Sequence, residues 1–190
     1  MSSQTQPIIG ANFQNVQVFR LVGPTVTVDA SGGLVTVNSN AKFNTNLPLD
    51  RYALITKITY FVTWTKLPVS EPDNLASWNL FAQLTEALAR TSPVATDPVY
   101  VDEWTLHIRK SFVTSGAEIL TFPGTLDRVL YNPWATAAQQ LNFVVAAQPN
   151  NSGANGPNAA VSPVLEYQLL PLTTDIRTYL ATRVQIAGQA

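Results

Sequence analysis

The residues of this 190-residue chain that could carry out acid–base or nucleophilic chemistry are few and scattered. There is one histidine and no cysteine, so thiolate nucleophiles, thiolate metal sites and disulfides are excluded. His107 lies in the alternating segment VYVDEWTLHIR, on the same side as Glu103, Thr105 and Arg109. That side is the polar face of a strand, so we interpret His107 as a surface or interface residue rather than a base or ligand.

The carboxylates do not form a catalytic pair. Asp102 and Glu103 are adjacent, and neighbours on a strand point to opposite sides. The other carboxylates considered are dispersed along the chain: Glu118, Asp127 and Glu166. We interpret Asp127-Arg128 as a local surface pair. Nucleophile-elbow, zinc-protease, EF-hand and phosphate-loop patterns are absent, so we predict no catalytic, cofactor or metal site, no small-molecule substrate and no enzyme activity.

Charge is scarce throughout the sequence. Charged residues make up 12%, about half the usual share, and the net charge is −1 from 11 basic and 12 acidic residues. No run of Lys or Arg exists, and clustered cations are the source of non-specific nucleic-acid affinity, so direct nucleic-acid binding is not expected. A surface with so little charge resists association poorly, and we expect neighbouring molecules to cover it.

The segment RYALITKITYFVTWTK at residues 51–66 alternates as a long β-strand does. One face should line a core; it carries Tyr52, Leu54, Ile58, Tyr60, Val62 and Trp64. The opposite face carries Ile55 and Phe61. Contiguous exposed apolar patches are rare on soluble monomers, so we expect a helix or a second subunit to cover Ile55 and Phe61.

Other segments predict about eight to ten strands in all. Residues 25–38 suggest a hairpin turning at Gly32-Gly33, and residues 161–172 suggest an edge strand that tolerates Pro163. One inserted helix is predicted, with Asp73 as N-cap and an end near Arg90. Its apolar stripe is formed by Leu75, Trp78, Phe81, Leu84 and Leu88. Residues after Thr173 fit a helix that turns into extended chain.

Strands do not alternate with helices, which argues against a parallel α/β sheet. We therefore predict an all-β protein, an antiparallel β-sandwich or jelly roll with one inserted α-helix. Residues 1–13 are predicted to form a flexible, uncharged arm, either free or ordered against another subunit, and residues 14–190 a single domain.

Trp134 is the best candidate for an exposed aromatic residue. It follows Tyr131-Asn132-Pro133, which we interpret as a turn between strands. An exposed indole there would be a contact anchor of the kind enriched in interfaces, or a platform for a sugar. The predicted interface residues are thus Ile55, Phe61, Tyr131 and Trp134.

The sequence resembles the coat proteins of icosahedral viruses built on a single jelly roll. The likeness is carried by the arm at 1–13, the long strand at 51–66, the inserted helix DNLASWNLFAQLTEALAR and the polar loop NNSGANGPN. It implies a β-sandwich whose flanks pack against neighbouring subunits in a closed shell, with loops facing outward.

One departure from that pattern refines the hypothesis. Small RNA-virus coats commonly carry an arginine-rich arm, whereas residues 1–15 contain no Arg or Lys. The tailless, membrane-containing double-stranded DNA viruses, including bacteriophages, are therefore the better match. We expect a self-assembling capsid subunit of the virion, made in the host cytoplasm, with copies of itself, other capsid proteins and an underlying viral membrane as neighbours. The alternatives are a phage decoration or spike protein and a carbohydrate-binding β-sandwich.

Overall fold

Two antiparallel sheets make up most of the molecule. The computed structural model describes residues 17–31, 35–66, 69–70, 76–94, 99–110, 124–149 and 154–187. The predicted arm at 1–13, the Gly32-Gly33 turn and Glu118 lie outside the described residues.

The strands are long and are divided between the two sheets. Sheet A contains β1 (Val18–Val22), β2 (Val26–Asp29), β4 (Arg51–Lys66), β8 (Thr125–Thr136) and β11 (Asn158–Pro171). Sheet B contains β3 (Val37–Asn44), β6 (Ala76–Thr85), β7 (Tyr100–Lys110) and β9 (Gln140–Pro149). A separate two-stranded pair joins β5 (Val69–Ser70) to β10 (Ala154–Asn155), and the one described helix is α1 (Thr174–Ala187).

The strand order defines a jelly roll. Sheet A runs β1-β11-β4-β8, with β2 continuing the β1 edge along β11, and sheet B runs β3-β9-β6-β7. Counting β1 and β2 as one interrupted strand leaves four strands in each sheet. The chain passes repeatedly from one sheet to the other, and every pairing is antiparallel. That is the double-sheet arrangement of two Greek keys, so the all-β prediction is confirmed.

The long strand β4 changes its inward face at Thr56. Its pairing with β11 and with β8 skips one residue between Ile55 and Lys57, which marks a β-bulge. Before the bulge the odd-numbered Ala53 and Ile55 are buried; after it the even-numbered Ile58, Tyr60 and Val62 are. The bulge thus explains why the strand is apolar on both parities.

The centre of the core is aromatic. Tyr60, from sheet A, stacks on Phe143 of sheet B with ring centroids 6.0 Å apart, and it contacts Trp104 at 5.7 Å in a tilted arrangement. Trp78 is fully buried beside them in the same cluster. Rings this large fill the space between the sheets and fix their separation.

The predicted inserted helix is wrong, because residues 76–85 form strand β6. Its backbone pairs with β7 on one side and β9 on the other, which satisfies the groups that a helix would bond internally. Trp78, Leu80, Ala82 and Leu84 are buried, so every second residue faces the core. Trp78 and Leu84 fit both the helical and the β periodicity. Pairing with β7 and β9 favours the strand over the helix.

The predicted hairpin at 25–38 is also wrong. Its two strands, β2 and β3, belong to different sheets, and β2 pairs with β11 instead. Apolar alternation marks both strands correctly but cannot tell a hairpin from a connection that crosses the sandwich.

Pro163 lies in a central strand rather than the predicted edge strand. Its carbonyl accepts a hydrogen bond from Gly23 N at 2.8 Å, and the N and O of a strand residue face the same neighbour. The proline nitrogen therefore faces the interruption between β1 and β2, where no ladder partner needs a donor. A Cβ on Gly23 would lie 2.7 Å from Pro163 Cγ, so the interruption also needs a glycine.

The expectation of a helix after Thr173 is confirmed by α1, but the predicted change to extended chain is wrong, because α1 continues to Ala187. The Thr173 hydroxyl accepts a hydrogen bond from Ile176 N at 3.4 Å, which is an N-cap contact, and Leu180 is buried against the sandwich. In the described part of the chain, no helix has the length and apolar character needed to span a membrane.

Gly156 provides a test of packing at the end of the sandwich. A Cβ there would meet Ala30 Cβ at 2.5 Å and the Trp78 ring at 2.6 Å. We expect Gly156→Ala to lower the free energy of unfolding by about 1–3 kcal/mol through overpacking, measured by chemical denaturation. Gly124→Ala is the matched control, since its Cβ would meet nothing closer than 3.9 Å; equal losses in the two variants would contradict this packing.

Candidate subunit interface

The four predicted interface residues fall into an inward pair and an exposed pair. Ile55 and Trp134 are directly opposite each other on β4 and β8, on the side of sheet A that faces sheet B. Phe61 is 43% exposed on the outer side of sheet A, and Tyr131 is 100% exposed in a part of β8 that has no ladder partner on β4. The expectation that a helix or a second subunit covers Ile55 is wrong, because the bulge at Thr56 turns this residue into the core between the sheets, where it is 2% exposed.

Trp134 is a residue of strand β8 and not of a turn. The pairing of β8 with β4 jumps from Trp134 to Val129 while β4 advances only from Ile55 to Lys57, so residues 130–133 have no ladder partner on β4. These four residues form an excursion from the sheet edge. Tyr131 stands on that excursion with its side chain wholly in solvent.

The Trp134 ring is occupied by contacts within the chain. Its Nε1 donates to Glu86 Oε1 at 3.0 Å, and the Arg183 guanidinium carbon lies 4.0 Å from the ring centroid. A sugar platform needs a free ring face, so this site does not favour the carbohydrate-binding alternative.

Exposed apolar side chains lie at both edges of sheet A. On β1, Val18 and Val22 are 53% and 70% exposed; on β8, Val129 is 70% exposed. Along β1, exposed residues alternate with partly buried ones from Val18 to Val22. The valines therefore lie on the face turned away from the core. Large apolar side chains at the edges of a sheet are typical of association surfaces.

Four charges on the outer face of sheet A form two ion pairs. Arg20, Glu166 and Lys57 are aligned in one cross-strand row. Arg20 Nε lies 3.6 Å from Glu166 Oε1, and Lys57 Nζ lies 3.2 Å from Asp127 Oδ2. Two cations thus meet two anions, and these four charges neutralise one another.

Asp127 is the anion held most firmly on this face. The Thr59 hydroxyl donates to its Oδ1 at 2.6 Å. That hydrogen bond, together with the Lys57 ammonium, lowers the pKa of Asp127 below its ordinary value. Asp127 and Arg128 do not pair with each other, so the predicted local surface pair is wrong; they point to opposite sides of β8.

Part of the outer face of sheet B is covered by the chain itself. The connection from Glu86 to Val94 folds back over it, and two buried amide side chains hold this connection. Gln83 exchanges two hydrogen bonds with the backbone of Val94, at 2.8 and 3.0 Å. Asn142 donates to the carbonyls of Ala87 and Arg90 at 3.3 and 2.7 Å. Val144 and Ala146 are consequently buried on the outer side of β9.

A polar cluster centred on the buried Asp102 and Tyr60 ties the two sheets together. Asp102 on β7 accepts a hydrogen bond from the Tyr60 hydroxyl at 3.0 Å and from Arg128 Nη2 at 3.0 Å. Both donors belong to sheet A, whereas Asp102 belongs to sheet B. Burial, and then the negative charge of Asp102, raise the pKa of Tyr60 well above its ordinary value of 10.0. The cluster is structural, because its carboxylate is already paired and bonded.

A second buried ion pair fixes helix α1 to the sandwich. Arg183 Nη2 lies 2.7 Å from Glu86 Oε1, and Arg183 Nη1 donates to Ala135 O at 2.9 Å. Both side chains are largely covered, at 16% and 6% exposure. Arg183, Glu86 and Trp134 together connect α1, the segment 86–94 that covers sheet B, and β8.

The titratable residues of β7 lie in different surroundings. Asp102 is buried while Glu103 lies on the outer face of sheet B, as alternation predicts, and His107 is exposed. Among the described residues there is no group of three or more His, Cys, Asp or Glu side chains placed to hold a metal ion.

Sequence reasoning missed Val18, Val22, Arg20 and Val129 as surface residues. Strand β1 carries apolar residues on both faces, Phe19 and Leu21 on one and Val18 and Val22 on the other. The sequence alone therefore does not show which face packs on the core. Only the pairing of β1 with β11, which sets Phe19 against Tyr167 in a ring stack at 5.7 Å, shows which face is turned outward.

The chain is similar in structure to several viral proteins. Merkel cell polyomavirus VP1, solved in complex with disialyllactose, is 8% identical over 84% of this chain and 98% of its own, with a TM-score of 0.43. The unassembled KI polyomavirus VP1 pentamer is 9% identical over 87% and 98%, with a TM-score of 0.38. A structure of infectious bursal disease virus is 9% identical over 93% and 46%, with a TM-score of 0.25.

No family model and no curated protein sequence matches this chain. The jelly-roll fold is defined by the strand order of the two sheets and does not depend on these comparisons.

Glu86 provides a test of the ion pair that holds α1. Glu86→Ala leaves the largely covered Arg183 without a counter-ion, and we expect it to cost about 3–5 kcal/mol of unfolding free energy. Glu166→Ala is the control, because its pair with Arg20 is solvent-exposed and such pairs contribute about 0–1 kcal/mol. Denaturant titration measures both, and similar small losses would show that the pair does not stabilise the molecule.

Tyr60 provides a test of the inter-sheet cluster through pH. The folded protein keeps the Tyr60 proton above the pH at which the unfolded chain loses it, so stability should fall as pH rises beyond about 10. Tyr60→Phe should lower stability at neutral pH, since Asp102 loses a donor, and should flatten that alkaline decline. Unfolding free energies measured from pH 8 to 11 check this; parallel profiles for parent and variant would contradict it.

Proposed function

We propose that this protein is a capsid subunit that assembles with copies of itself through sheet A. The observation that carries the proposal is the outer side of that sheet, where both edge strands of a jelly roll expose large apolar residues. Val18 and Val22 lie at one edge and Val129 and Tyr131 at the other. Burying such residues against a partner is favourable by about 25 cal/mol for each Å² of apolar surface removed from water.

Electrostatics supports association of this surface. The face that carries the apolar edges holds two cations and two anions already paired within the chain, so bringing copies together meets little net repulsion. The chain as a whole has only 12% charged residues and a net charge of −1. A low net charge favours association of like molecules.

The proposed setting is the shell of a tailless, membrane-containing double-stranded DNA virus such as a bacteriophage. Its support is the first 15 residues, which lack Arg and Lys and so offer no cations to a packaged genome. In this proposal the subunit is made in the host cytoplasm, assembles with other capsid proteins over a viral membrane, and consists of an arm at 1–13 and one domain at 14–190. Electron microscopy of the purified protein separates this role from that of a decoration or spike protein, since only a shell subunit should form closed shells or extended sheets.

Tyr131 provides the test of the proposed contact. We expect Tyr131→Ala to weaken association by at least about fivefold, because truncating a protruding aromatic residue in an interface typically costs about 1 kcal/mol or more. Light scattering coupled to size-exclusion chromatography over a range of concentrations measures the change.

The matched control is Tyr179→Ala. Tyr179 is 60% exposed on α1, outside the edge segments 18–22 and 125–131, and its replacement should leave association unchanged. Equal effects of the two variants, or a parent protein that stays monomeric at every concentration, would contradict the proposed function.

A further inference from the structure

We propose that copies of this chain join edge to edge, with β8 of one copy pairing antiparallel with β1 of the next to continue sheet A across the boundary. This rests on the proposed function and specifies the contact. The sheet runs β1-β11-β4-β8 with every pair antiparallel, so β1 and β8 run in opposite directions. A second copy in the same orientation therefore presents its β1 correctly to β8. In the part of the chain that the structure describes, neither strand has a partner on its far side.

The side chains select one register for this pairing. The outward residues are Val18, Arg20 and Val22 on β1 and Thr125, Asp127 and Val129 on β8. Setting Arg20 opposite Asp127 also sets Val18 opposite Val129 and Val22 opposite Thr125, so charge meets charge and valine meets valine. A shift of two residues either way places Asp127 against a valine and leaves Arg20 without the carboxylate. Cross-strand pairs of opposite charge and of apolar type stabilise a sheet, whereas a mismatched register does not.

The same charges disfavour a symmetric contact. Pairing β1 with a second β1 about its centre brings Arg20 against Arg20, and pairing β8 with β8 about Asp127 brings two carboxylates together. Like charges directly opposite each other destabilise a sheet. The edges are thus complementary to each other rather than to themselves, and such head-to-tail contacts close into rings or propagate as sheets and filaments.

The excursion on β8 lies outside the proposed pairing. The ladder between β8 and β4 is interrupted after Val129, and Tyr131, which is 100% exposed, follows the segment 125–129 that pairs with β1.

A disulfide between the paired edges tests the proposal directly. The chain has no cysteine of its own. In the double variant Val18→Cys, Val129→Cys the two new thiols of one copy lie three strand spacings apart, about 14 Å, which is too far for a disulfide. Between copies, directly opposed residues have Cβ atoms about 4.5–5.5 Å apart, close to what a disulfide needs. We expect mild oxidation to give a ladder of covalent multimers on non-reducing gels that collapses on reduction.

Three controls make the outcome decisive. Each single variant, V18C or V129C, should give no species beyond a dimer, because a head-to-tail ladder needs both thiols. The double variant Val22→Cys, Val129→Cys places its thiols about four residues, or roughly 14 Å, out of register and should lose the ladder; a ladder as strong as that of V18C/V129C would overturn the register.

Light scattering of the same samples separates the two proposals. Non-covalent multimers without a V18C/V129C ladder would overturn the β8–β1 contact while leaving the proposed capsid function standing. A monomer at every concentration would contradict both.

Discussion

One extra residue in strand β4 decides which side chains this molecule buries and which it displays. Thr56 has no ladder partner on either side, and the strand rotates by one position at that point. Without that rotation, a 16-residue strand could bury either Ile55 or Ile58, but not both. With it, both are inside and Lys57, Thr59 and Phe61 are outside, which gives sheet A a filled inner face and a mixed outer face.

Eight charged residues form four ion pairs that hold parts of the described structure together. Asp102 with Arg128 joins the two sheets, Glu86 with Arg183 holds the C-terminal helix, and four further charges pair across the outer face of sheet A. Charges that are paired within one copy contribute little net repulsion between copies, whereas like charges placed directly opposite each other across a contact still destabilise it. The low content of charged residues therefore also makes the edges of sheet A suitable for contact with identical molecules.

Much of the architecture could be predicted from the sequence, because alternation of apolar residues directly reports a sheet that is buried on one side. It identified the all-β class, the long strand at 51–66 and the outward position of Phe61. It failed at residues 76–85, where Trp78 and Leu84 fit two periods at once, and at Ile55, where a bulge changed parity without any proline or glycine to announce it. Trp134 was misplaced for a related reason, since its half-burial depends on Glu86 and Arg183, which lie far away in the sequence.

Hydrogen–deuterium exchange on the dilute and the associated protein tests most directly whether the edges of sheet A are the contact surface. We expect the backbone amides of residues 18–22 and 125–129 to exchange more slowly after association, because edge amides would gain partners in a neighbouring copy. Protection in sheet B should stay unchanged. Association that leaves both edge strands exchanging as fast as in the dilute protein would contradict the proposed contact.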